Sequence, residues 1–132
     1  MVSKNVKNYI FLIDATGALL SFTLTYFLWK SLDDLFGLPR NALYLICSLA
    51  LGLMCFSIAY HFFSLRKKST KLVLLNVLIV LNLAYCIFII SVIYVFTEMI
   101  SAFGIIYWTL EMVLISLLIF LEFATTQKLK DN

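Results

Sequence analysis

The sequence predicts an all-α membrane protein, an antiparallel up-down-up-down bundle of four transmembrane helices. Three observations carry that reading. Hydrophobic residues fill 64% of the 132 positions and charged residues only 13%, with a mean hydropathy of +1.05, outside the range of soluble globular chains. The stretch from Leu72 to Thr97 holds no charged side chain, whereas each helix of a soluble bundle keeps a polar face. The apolar residues also gather into four runs, each near the roughly 20 residues that a bilayer-spanning helix needs.

The first run, 9–29, follows Lys4 and Lys7 as a secretory leader would. It is long, contains Asp14 and ends in Trp29-Lys30 without a small-x-small cleavage site, so it is expected to stay in the mature protein. The single proline comes next, in Phe36-Gly37-Leu38-Pro39-Arg40, where Gly37 and Pro39 stop the first helix before the second begins. The second run covers 42–63, the third 72–96 and the fourth 102–123. None shows the alternation of barrel strands, and backbone amides in hydrocarbon must be satisfied within their own segment, so all four are read as helices. The connections are short, at 30–41, 64–71 and 97–101, which favours sequential antiparallel neighbours in one domain spanning 1–132.

Orientation follows from the Lys and Arg residues of the short flanks. Lys4, Lys7, Arg66, Lys67, Lys68, Lys71, Lys128 and Lys130 fall on one side; Lys30 and Arg40 fall on the other, beside Asp33, Asp34 and Glu98. Both termini are therefore expected in the cytoplasm, with the chain in the cell (inner) membrane. The net charge of +3 is explained by this topology and not by nucleic acid. Tyr9, Trp29, Tyr44, Tyr94 and Trp108 fit an interfacial aromatic belt, although Trp108 lies deep for that role. Cys47, Cys55 and Cys86 all sit in apolar runs without a Cys-x-x-Cys pair, so packing is expected of them, with no disulfide framework, metal site or other cofactor.

Ionisable groups inside a span cost roughly 2.5–3.5 kcal/mol at the helix centre, which singles out Asp14 and Glu111. On the first helix, Asp14, Ala18, Ser21 and Thr25, flanked by Gly17, form a small and polar stripe expected to face the bundle. Ser48, Gly52, Cys55 and Ala59 repeat that spacing on the second helix and are expected to admit a close neighbour. His61 and Asn76 come level with Asp14, suggesting a polar layer, with a proton relay as the bolder reading of His61 and an interfacial placement as the commoner one. Nearer the midplane, Glu111 is level with Asn82 and Ser21, with Tyr107 one turn away on its own face. A neutral Glu111 donating to Asn82 would clasp the third and fourth helices; a proton-coupled or ligand-binding carboxyl is the alternative. Glu122 shares Glu111's face and is expected to be solvated at the interface.

Asp14, Gly17-Ala18-Leu19-Leu20-Ser21, Phe36-Gly37-Leu38-Pro39, Asn82-Leu83, Tyr85-Cys86, Glu111 and Glu122 make the chain resemble a set of short bacterial four-helix membrane proteins without an assigned activity. The resemblance implies a shared architecture and no chemistry. Small multidrug exporters also have four helices and an acid in the first, but theirs is a Glu and their charge bias is weak, so little carries over to Asp14. No complete catalytic motif is present. The expected function is that of a non-enzymatic structural or accessory membrane component, with the lipid bilayer and either a second copy or other membrane proteins as partners. The competing reading is a small oligomeric proton-coupled transporter or carrier using Asp14 and Glu111. A lipid-modifying enzyme pairing His61 with Asp14 comes third, without a motif behind it.

Overall fold

The computed structural model describes residues 4–31, 37–64 and 68–130. They form four helices, α1 (Lys4–Ser31), α2 (Arg40–Ser64), α3 (Lys68–Val95) and α4 (Ala102–Lys130), with no strand among the described residues. Each is long and apolar enough to cross a membrane. Of the residues used for the charge pattern and the first loop, Asp33, Asp34, Phe36, Arg66 and Lys67 lie outside the described residues, as do the side chains of Lys4, Lys7, Trp29 and Lys68.

The helices outrun the apolar segments. α4 continues past Phe123 to Lys130, while Phe96, expected in the third helix, sits in the turn after α3. Ser101 starts α4: its hydroxyl accepts the Gly104 N–H at 3.0 Å and its carbonyl accepts the Ile105 N–H at 3.0 Å, satisfying amides that a helix N-terminus otherwise leaves open. At the start of α2, the Pro39 carbonyl accepts the Ala42 N–H at 2.9 Å and the Leu43 N–H at 3.3 Å. Gly37 has φ +68°, and a Cβ there would lie 2.0 Å from the Met99 carbonyl oxygen and 2.9 Å from the Ser101 nitrogen. This position needs glycine for both its conformation and its proximity. The contact lays the first connection on the α3–α4 turn and buries Leu38 and Ile100 in one core.

The interior is two apolar clusters. One gathers Leu43, Ile46, Tyr85, Ile89, Trp108 and Ile115; the other gathers Ile10, Phe11, Leu75 and Leu78. Between them, in the order of residues along the helices, stand Asp14, Ser57, Asn82 and Glu122, all buried. α1 packs most closely on α2, α3 packs on both α2 and α4, and among these neighbouring pairs α1 and α4 pack least closely. Tyr9 stacks on His61 with centroids 6.3 Å apart, and Phe11 meets Tyr60 edge-on at 6.2 Å.

The outside is apolar as well: Phe27, Phe62, Ile87 and Phe120 are among the exposed side chains, a surface that soluble monomers do not present in such extent. Tyr9, Tyr44 and Tyr94 are exposed, as an aromatic belt requires, but Trp108 is buried, edge-on to Tyr107 with ring centroids 4.8 Å apart. The stripe expected on α2 is corrected. Ser48 and Cys55 are exposed, and a Cβ at Gly52 would meet nothing within 4 Å. The inward face of α2 is instead Leu43, Ile46, Cys47, Ala50 and Ser57, whose bulkier apolar members fill the core that the small residues could not.

Candidate functional site

Asp14 is 2% exposed, and its carboxyl is held from two helices. The Ser57 hydroxyl donates to Oδ2, and Asn82 Nδ2 donates to Oδ1 at 2.8 Å. The same amide nitrogen also donates to Glu122, at 3.1 Å to Oε1 and 3.4 Å to Oε2. The two hydrogens of one NH₂ group thus serve two carboxyls. The Asp14 and Glu122 carboxyls therefore meet at one amide group. One constellation, Asp14 on α1, Ser57 on α2, Asn82 on α3 and Glu122 on α4, joins all four helices.

Glu122 is 0% exposed, which corrects the expectation that it is solvated at an interface. The cause is the length of α4. Because the helix continues to Lys130, Glu122 lies well inside it, with Thr125 and Thr126 buried in the following turn and their hydroxyls bonded back to the Leu121 and Glu122 carbonyls at 2.7 and 2.9 Å. The expected Glu111–Asn82 clasp is corrected too. Glu111 Oε1 accepts from the Tyr85 hydroxyl at 3.1 Å, with the Ser21 hydroxyl close by. Side chains on a helix lean toward its N-terminus. On α4 that lean carries the Glu111 carboxyl toward Tyr85 and away from Asn82, and carries the Glu122 carboxyl toward Asn82.

Tyr107 bonds its hydroxyl to that of Thr25 at 2.9 Å, a second tie between α1 and α4. Asn76 is exposed on α3, away from this constellation. His61 rests against the rings of Tyr9 and Phe62. The stripe of α1 does face the bundle: Asp14 and Thr25 are buried, and a Cβ on Gly17 would meet Leu118 Cδ1 at 3.0 Å. Ser57, Tyr85 and Glu122 were not singled out as site residues from sequence. Glu122 carried a signal, its place on the Glu111 face, whereas Ser57 is one serine in a run of apolar residues.

Where α1 and α4 separate, they enclose a cavity of about 510 Å³. Asp14, Ser21, Asn82, Tyr85, Tyr107 and Glu111 supply its polar wall atoms; the remaining wall is apolar, and among the described residues no Lys, Arg or His lines it. Leu20, Leu24, Leu110, Leu114 and Leu117 on its rim are exposed, so the mouth opens sideways between the two helices. Polar ties stand at either end of this gap, at Asp14–Glu122 and at Thr25–Tyr107. They are separated by about 16 Å along α1 at the helical rise of about 1.5 Å per residue. Glu111 is 5% exposed, and its Oε2 has no hydrogen-bond partner.

Among the described residues, no three His, Cys, Asp or Glu side chains are grouped to hold a metal ion. Compared with family models, curated proteins and solved structures, the chain matches none.

Proposed function

We propose that this chain is an integral membrane protein whose helices cross the bilayer in alternating directions with both termini cytoplasmic, and that it acts as a small proton-responsive carrier. The alternation is supported by contacts that rise on one helix as they fall on the next. Tyr9, Phe11 and Asp14 of α1 meet His61, Tyr60 and Ser57 of α2, and Asp14 and Thr25 meet Glu122 and Tyr107 of α4. The placement of the termini is supported by the Lys and Arg bias of the flanks.

The observation that carries the carrier reading is the cavity between α1 and α4, walled by apolar side chains and by the carboxyls of Asp14 and Glu111. Ligand sites are apolar hollows with a few convergent polar groups, and carboxyls inside a span mark proton and solute pathways. Asp14 and Asn82, the latter also bound to Glu122, stand in its wall at one end. Four helices leave little room for a pathway, so the working unit contains more than one copy. Proteoliposomes loaded with a pH-sensitive dye test the reading. Solute-dependent proton movement is expected, with loss in Asp14→Asn and in Glu122→Gln; no proton or solute flux under any imposed gradient would remove it.

A structural or accessory role is the second reading, favoured by the constellation of Asp14, Ser57, Asn82 and Glu122 that fastens four helices at one level. It is non-enzymatic, as the first is. Under it, Glu111→Gln keeps both folding and cellular function, whereas a folded variant that loses function speaks for the carrier.

A further inference from the structure

We infer that Glu111 is the recognition group of the α1–α4 cavity, and that its ligand is an amphipathic primary or secondary amine that reaches the site from the surrounding lipid. The inference rests on the cavity reading above and adds the chemistry of the occupant. Of the three buried carboxyls among the described residues, two are satisfied within the protein: Asp14 by Ser57 and Asn82, and Glu122 by Asn82 at both oxygens. Glu111 alone among them keeps an oxygen, Oε2, with no partner at hydrogen-bond geometry, although the Ser21 hydroxyl is close to the carboxyl. A buried carboxyl oxygen left unpaired loses its hydration without replacement. The group that repairs this must bring an N–H or O–H donor into an apolar space.

Charge narrows the choice. Among the described residues, the wall holds acids, an amide and hydroxyls but no basic residue, so a cationic donor meets no repulsion there, and an anionic ligand would face two carboxyl-bearing side chains without a counter-charge. Shape narrows it further, since the walls are mainly leucine and the mouth opens sideways past exposed Leu20, Leu114 and Leu117. An uncharged alkyl amine dissolves in hydrocarbon and can arrive by that route. In the site, one proton lies between the amine nitrogen and Glu111: a neutral carboxyl passes its proton to the amine, giving an ammonium–carboxylate pair joined by a charge-assisted hydrogen bond. The Tyr85 hydroxyl continues to donate to Oε1, which fixes the plane of the carboxyl for the incoming nitrogen.

The test measures binding of dodecylamine, dodecanol and dodecyltrimethylammonium to the purified chain by native mass spectrometry. Dodecylamine should bind about ten-fold or more tightly than the other two, because only it offers both an N–H donor and a charge. That preference should vanish in Glu111→Gln, whose amide oxygen can still accept from Tyr85, while dodecanol binding stays unchanged. Leu114→Trp, at an exposed rim position, should weaken all three by filling the mouth. If all three compounds bind alike and Glu111→Gln alters none, Glu111 is not the recognition group, although the cavity reading stands. If none binds, or if Leu114→Trp leaves binding unaffected, the cavity is not the site and both fall. The comparison among ligands on the unaltered chain decides the matter even if Glu111→Gln does not fold.

Discussion

The hydroxyls of Thr25 and Tyr107 meet at 2.9 Å across α1 and α4, the least closely packed of the four neighbouring helix pairs. The bond closes one end of the gap whose other end is closed at Asp14 and Glu122. A double-mutant cycle with Thr25→Val and Tyr107→Phe should give a coupling energy of about 0.6 kcal/mol, with roughly 1.7 kcal/mol as the upper range for such bonds in membrane proteins. Additive effects of the two substitutions on unfolding would show that the hydroxyls do not bond.

Asn82 stands at the centre of the buried constellation, so its loss should cost more. Asn82→Leu strips a donor from Asp14 and Glu122 together, and about 2–3 kcal/mol of destabilisation is expected from leaving buried acceptors short of a partner. Replacing Asp14, Asn82 and Glu122 all by Leu should recover a large part of that loss, because an apolar layer leaves nothing unsatisfied. Equilibrium unfolding of both variants checks the contrast, and a triple variant no more stable than Asn82→Leu would contradict it.

Two glycines should respond to alanine with opposite sign. Gly37→Ala forces a Cβ onto the Met99 carbonyl at a left-handed φ, a strain of about 1–2 kcal/mol from conformation alone before the clash is counted. Gly52 lies in α2 with open space around its Cα, so Gly52→Ala should stabilise by up to about 1 kcal/mol through helix propensity. Thermal unfolding of the pair is the measurement; equal shifts would mean that the first connection does not rest on the α3–α4 turn.

Much of this was legible in advance. The four helices follow from run length and composition, and the inward stripe of Asp14, Ser21 and Thr25 follows from helical spacing. The polar partners were harder to read, because pairing depends on which way each long side chain leans as well as on its level. Glu111 and Asn82 are near in level, yet the lean toward the helix N-terminus sends Glu111 to Tyr85. The apolar run stops at Phe123, which puts Glu122 at a helix end, whereas α4 runs on to Lys130 with Thr125 and Thr126 buried and their hydroxyls satisfied by the Leu121 and Glu122 carbonyls. The α2 stripe failed for another reason: small residues allow close packing without requiring it, and here bulkier residues on the opposite face made the core.

Orientation is checked independently of any ligand. With both termini cytoplasmic, a fluorescent protein fused after Asn132 should mature and glow, and a phosphatase that folds only in the periplasm should be inactive at the same position. The reverse pattern would overturn the assignment drawn from Arg66, Lys67, Lys68 and Lys71.

The seat of Gly37 on Met99 and Ser101 also bears on biosynthesis. A ribosome releases the chain from its N-terminus, so α1 and α2 leave it long before the turn that their connection rests upon. Until residues 99–101 have been made, Leu38 has no Ile100 to pack against, and the end of the α1–α2 pair that carries Leu38 waits unfinished. Completion of that end is therefore a late event, set by the delivery of the second helix pair rather than by the first.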